Sequence, residues 1–162
     1  MTDRPGSASI ARPWARRGFT LVELLATVVI ISVLSGLAVL KSKATIEQAK
    51  VAKAIGDIRT LQAEVQAYES GGQPLPLNLA AIGRDGLMDP WGRPYVYLPF
   101  ETDKPVPPGA RRDVFMVPIN STFDVYSMGA DGKSNPPLTS GPSQDDIVRG
   151  NDGGFIGLAR KF

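Results

Sequence analysis

Apolar residues run almost unbroken from Phe19 to Leu40, and Glu23 is the one charge among these 22 positions. At about 1.5 Å per helical residue such a segment extends about 33 Å, close to the ~30 Å hydrocarbon core of a bilayer. Beyond Leu40 the pattern changes. Val51, Ile55, Ile58, Leu61, Val65 and Tyr68 recur at steps of three and four, while Lys50, Lys53, Asp57, Arg59, Glu64 and Glu69 mostly take other faces. No proline interrupts Phe19 to Ser70, and Gly71-Gly72 supplies a stop. The pattern predicts one continuous helix, apolar on all sides through 19–40 and amphipathic from 41 to 70. Its second stripe lasts about two and a half heptads, too short for a coiled coil, and reads as a face turned to a core.

The remainder is patterned for a small sheet. Residues 73–89 read as a loop with one short helical turn around Leu79-Ala80-Ala81-Ile82. Three strands are predicted at 94–100, 113–119 and 123–128, where β-branched and aromatic residues concentrate. The prolines and glycine of 102–112 form a link, Asn120-Ser121-Thr122 a tight connection, and connections this short imply antiparallel pairing. Residues 133–144 are a proline, serine and glycine loop, and 145–162 read as an acidic, turn-rich tail. The fold class is therefore α+β: a long N-terminal membrane-spanning helix packed on a small antiparallel sheet head, with a C-terminal loop region.

Charge and composition remove most chemistries. The formal net charge is +2, but residues 1–18 carry four arginines against one aspartate, so the rest of the chain is slightly acidic and no nucleic-acid partner is implied. With no histidine and no cysteine the chain cannot build a Ser-His-Asp triad, a thiol nucleophile, a disulfide or a usual zinc site, and it is not expected to be an enzyme. Residues 127–134 end in Gly-Lys-Ser like a phosphate loop. They begin with Ser127 in place of glycine, however, and Asn135-Pro136-Pro137 follows where a helix must open.

The basic run ahead of the apolar span places the N-terminus in the cytoplasm and the head outside. A carboxylate within such a span is costly unless it sits near the headgroups or has a partner. Gly18-Phe19-Thr20-Leu21-Val22-Glu23-Leu24-Leu25 resembles, residue for residue, the processing and assembly signal of the type IV pilin and pseudopilin superfamily. That resemblance implies a prepilin peptidase cutting after Gly18 and methylating Phe19. It also implies that Glu23 pairs with the new amine on a neighbouring subunit, a pairing that specifies register more than it stabilises. Three segments follow: a basic leader, 1–18; a transmembrane and assembly half-helix, 19–40; and a periplasmic head, 41–162.

Two further strings narrow the family. Asp89-Pro90-Trp91-Gly92-Arg93-Pro94-Tyr95 resembles the DPWGxPY signature of major pseudopilins of type II secretion systems, and Phe123 to Gly132 resembles the strand and GADG loop of the same family. Read physically, the first is a turn that sets Trp91 in the core or a subunit contact. The second resemblance implies calcium at the loop and a downstream aspartate, with Asp131, Asp145 or Asp146, and the Met128 carbonyl as ligands. Hard oxygen donors suit calcium, and a metal tying a long loop to the sheet would staple a small head without disulfides, which favours it over solvated turn acids. This is not an EF-hand, because Pro136 and Pro142 fall where its glycine and glutamate belong. Two departures stand out: the proline-rich stretch after Lys133 is longer than usual, and 73–87 lack the PTxxQGLxAL string.

The function implied is a structural subunit of a periplasmic pseudopilus that polymerises from the bacterial inner membrane to drive protein secretion. Its partners would be further copies in a helical filament, minor pseudopilins, the inner-membrane secretion platform, and membrane lipid before assembly. A pilin of a type IV pilus, or a membrane-anchored binding module, are the alternatives. The strings at 89–95 and 129–132 favour the first reading, and the third leaves Glu23 and the glycine cut without purpose.

Overall fold

The computed structural model describes residues 18–101 and 103–162, and within the helix the side chains of 37–42 are not among those described. Residues 1–17, within the predicted leader 1–18, also lie outside. The chain divides into two compact units, Met1–Ser42 and Lys43–Phe162.

Helix α1, Leu21–Ser70, is continuous for 50 residues, as the absence of proline permits. It stops where the Gly71 and Gly72 N–H groups close onto the carbonyls of Ala67, Tyr68 and Glu69. Ala54, Ile58, Leu61 and Val65 form its buried stripe, with Val51 and Ile55 packed partly against the same core. Burying each large member of that stripe is worth about 1.5–3 kcal/mol, which makes the stripe the main attachment of helix to sheet. Among the described residues no helix is long and apolar enough to cross a membrane; positions 37–40, the end of the predicted span, lie outside the described side chains.

The head carries a four-stranded antiparallel sheet in chain order, β1 Val96–Pro99, β2 Phe123–Ser127, β3 Ile147–Gly150 and β4 Phe155–Leu158. Phe123, Val125 and Ile147 face the helix stripe, and Tyr95 joins them. The opposite face is covered as well: Ile119, Leu138, Val148 and Ala159 form a second cluster with Tyr126, Phe155 and Phe162. The short turn predicted near residue 80 is present as Leu79–Ile82, capped by the Asn78 side chain.

Two sequence readings are corrected. Residues 113–119 are not a strand. Both edges of β2 are taken by β1 and β3, Pro118 has no N–H to offer a ladder, and the segment closes on itself through Asp113 N–H to Met116 O and Ile119 N–H to Arg111 O. The tail read as loop instead forms the β3–β4 hairpin, its Asn151, Asp152 and Gly153 turning in the left-handed region. Asn120 steadies that turn: its side chain is buried, accepts from Asp152 N–H, and donates to Asp124 and to the Arg149 carbonyl.

Candidate functional site

Three places carry the residues singled out from the sequence. The first is the start of α1. Gly18, Phe19 and Thr20 are exposed and non-helical immediately before the helix. Thr20 is its N-cap: the hydroxyl accepts from the Glu23 N–H at 3.2 Å, and its carbonyl receives the Leu24 N–H. Thr-x-x-Glu is the spacing of a capping box, and an acid in the first turn suits the positive end of the helix dipole. Glu23 therefore has a local reason to stand where it does, one legible in the sequence at Thr20 yet missed there. Gly18, Phe19, Thr20 and Glu23 line one open concavity of about 510 Å³, so the bond predicted to be cut, the new amine and the acid lie close together.

The second place joins the two strings of the head. Asp89 is buried and organises the turn, its carboxylate accepting from the N–H groups of Trp91 and Arg93 and from the Ser127 hydroxyl. Trp91 packs partly against the core and donates its indole N–H to Glu47 of α1, in keeping with a structural role. Arg93 reaches across to β2's exit, donating to the carbonyls of Gly129 and Ala130 at 2.6 and 3.2 Å. Gly129 and Gly132 both have positive φ, and each lies against something a side chain would strike. A Cβ on Gly129 would come within 2.3 Å of the Asp145 carbonyl oxygen, and one on Gly132 within 2.3 Å of Arg93 Nε.

That loop brings two of the three predicted acidic ligands together. The Asp131 N–H donates to Asp145 Oδ2 at 2.9 Å, Asp131 Oδ1 accepts from Lys133 N–H, and the Met128 carbonyl accepts from Gly132 N–H. Asp146 is turned the other way. It is fully buried, and one of its oxygens takes both Arg111 Nη2 and the Ser134 hydroxyl at 2.6 Å. Burial pushes its carboxyl up to about 6, against the pull of Ser134 and Arg111. Among the described residues no group of three or more acidic, histidine or cysteine side chains could hold a metal. The donors that fit calcium are the exposed carboxylate of Asp131, the half-buried carboxylate of Asp145 and the Met128 carbonyl; the Gly129 and Ala130 carbonyls receive a guanidinium.

The third place was not foreseen. Arg111 is 1% exposed. Its guanidinium ties Ser134, the Asn135 carbonyl and Asp146 and lies 4.5 Å over the Tyr126 ring, while its N–H reaches Asp124. Arg149 does the same work on the helix-facing side, against the Phe123 ring and carbonyl and Gln62. Burial raises the carboxyl of Asp124 and lowers the guanidinium of Arg149. No sequence periodicity marks either arginine, because each is buried through partners distant along the chain.

Residues 15–39 match the family model described as the prokaryotic N-terminal methylation motif. The type II secretion system core protein G of Pseudomonas aeruginosa is 32% identical, the match covering 83% of this chain and 93% of that protein. The chain belongs to the type II secretion system core protein G family. Members from Dickeya chrysanthemi and Escherichia coli are 29% and 28% identical, over 85% and 82% of this chain and 88% and 90% of theirs. No solved structure matches the chain. Membership extends over the head as well as the motif, so the family assignment does not rest on the first helix alone.

Proposed function

We propose that this chain is a structural, non-catalytic subunit of a pseudopilus, anchored in the inner membrane by 19–40, cut after Gly18 and polymerised into a periplasmic filament that serves type II secretion. The observation that carries this is the start of α1: an exposed Gly18–Phe19 bond directly ahead of a helix whose first turn holds Glu23, in a chain of the core protein G family. Cutting there leaves a positive amine two residues from the helix. Glu23 is the acid that answers it, from its own chain or from the next, and in low dielectric the pairing penalises a subunit added out of register. Movement would come from a separate ATPase, and minor pseudopilins and the inner-membrane platform would be the further partners.

The test is Glu23→Val in cells that contain the peptidase. Mature protein beginning at Phe19, seen by N-terminal mass spectrometry, is expected for both chains, but filaments only for the parent. An uncut leader in the parent's filaments would overturn the processing step, and normal filaments from Glu23→Val would overturn the pairing.

We further propose calcium at Asp131 and Asp145, with the Met128 carbonyl, supported by the contact of the Asp145 carboxylate with the Asp131 N–H on one glycine-shaped loop. The ion would neutralise the two like charges and tie that loop to the strand entering at Ile147. A hundredfold excess of calcium over Kd stabilises the fold by about 2.7 kcal/mol. The expected outcome is a rise of several degrees in the melting temperature of residues 43–162 on adding calcium, lost in Asp131→Ala and kept in Asp103→Ala. Equal melting with calcium and with chelator would return both aspartates to the role of solvated turn acids.

A further inference from the structure

Residues 111–119 project from the head as a closed loop with a rigid base and an apolar tip. The base is held by buried Arg111, by the paired backbones of Arg111 and Ile119, and by Arg112, whose N–H and carbonyl bond Pro136 and Leu138. At the tip Val114, Met116 and Val117 are exposed, and Phe115 is 93% exposed. The other phenylalanines of the head, Phe100, Phe123, Phe155 and Phe162, are buried or half-buried. Scattered exposed apolar residues need no explanation, but four consecutive ones on a fixed base mark a contact surface.

The same head carries a recess of about 290 Å³, walled by Leu79, Leu87, Pro94, Tyr95 and Tyr97 and rimmed by Arg84 and Asp85. Its volume falls at the lower limit for a small-molecule site, about 300–1,000 Å³, and suits one anchoring side chain better. Its walls pack against the helix-facing core, whereas the loop's base, through Ile119, belongs to the cluster on the opposite face of the sheet. Projection and recess therefore serve different surfaces of one head and cannot satisfy each other within it. Their flanking charges are complementary. Exposed Arg112 and neighbouring Asp113 precede the tip, while exposed Asp85 and Arg84, itself held by Glu64, lie at the rim.

Resting on the pseudopilus reading above, we propose that Phe115 of one copy seats in the recess between Leu79 and Tyr97 of the next copy, with Arg112 beside Asp85. A contact between two unlike patches is heterologous, so it repeats without closing and builds an open filament, whereas a two-fold dimer would need one self-complementary patch. The head thus supplies its own register, in addition to any set by Glu23.

The absence of cysteine makes the test direct. Filaments of the full chain carrying both Val114→Cys and Ala80→Cys are oxidised and resolved without reductant. A ladder of dimers, trimers and higher species is expected from the double variant, and only dimers from a mixture of the two single variants. Phe115→Ala, altering an exposed side chain, should keep its processing and melting temperature yet need about tenfold more subunit for the same filament mass, the equivalent of about 1.4 kcal/mol per contact. Filaments that form without a ladder, a cross-link joining the Val114→Cys chain to a different protein, or Phe115→Ala filaments at the parent's concentration would each overturn this contact. Absence of filaments from the unaltered chain would instead overturn the pseudopilus reading.

Discussion

Arg111 is a full positive charge in the interior, and its neighbours explain how it is tolerated. Asp146 supplies the counter-charge, Ser134 and the Asn135 carbonyl take further donors, and the Tyr126 ring covers one face. One Asp146 oxygen and Arg111 Nε are buried without partners among the described residues, so the pair is not fully satisfied. A buried ion pair of this kind adds little net stability over apolar residues of the same volume, yet removing one member strands the other. Arg111→Ala is expected to destabilise residues 43–162 by about 3–5 kcal/mol in urea denaturation, whereas exposed Arg112→Ala should stay within ~0.5 kcal/mol. Similar midpoints for the two variants would show that Arg111 does not hold the loop.

At the scale of elements, the proline-rich stretch 133–144 is a cover for the outer face of the sheet. Leu138 is buried there beside Val148 and Tyr126, and Ser143 and Asn135 bond each other across it. The β3–β4 hairpin completes both faces, Ile147 on the helix side and Val148 on the other. Truncation after Gln144 is therefore expected to abolish the cooperative melt of the head and expose it to protease, although the sequence reads 145–162 as an acidic, turn-rich tail. A truncated head that melts as the intact one does would contradict this. The hairpin was in fact legible: Ile147-Val148-Arg149 and Phe155-Ile156 are β-formers flanking Asn-Asp-Gly-Gly. Conversely, Val114-Phe115-Met116-Val117 has strand composition and is a loop, because propensity cannot report that both edges of the neighbouring strand are occupied.

For the whole head, the buried carboxylates set an unusual dependence on pH. Asp146 has its carboxyl raised from 3.8 to about 6, and burial raises Asp124 as well. A carboxyl raised in the folded state binds its proton more tightly there than in the unfolded chain. Stability from this source is therefore present at low pH and is lost as pH rises from about 4 through 6. At about 1.36 kcal/mol per unit the Asp146 contribution is on the order of 3 kcal/mol across that window. Residues 43–162 are expected to resist urea better at pH 5 than at pH 7.5, with Asp146→Asn removing most of the difference. A head more stable at pH 7.5 would mean that the Arg111 charge outweighs burial and holds Asp146 ionised.

The long helix, its stop at Gly71, the stripe through Ile58, Leu61 and Val65, and the Gly18, Phe19 and Glu23 signal are local patterns in a periodic element, so the bare chain announces them. The α+β class followed from the same patterns, as did the turn at Leu79–Ile82. Folding in three dimensions was needed wherever a residue's fate depends on partners far along the chain. Asp145 reaches Asp131 while its neighbour Asp146 goes to Arg111, a choice that adjacent identical residues cannot reveal. Arg93 closes on Gly129 across 36 positions, and Phe115 is left in the open by the pairing of strands it does not join. Sequence period reports which side of an element is apolar, but a buried charge is acceptable only when its counter-charge and hydrogen bonds arrive from other elements, and packing alone brings them there.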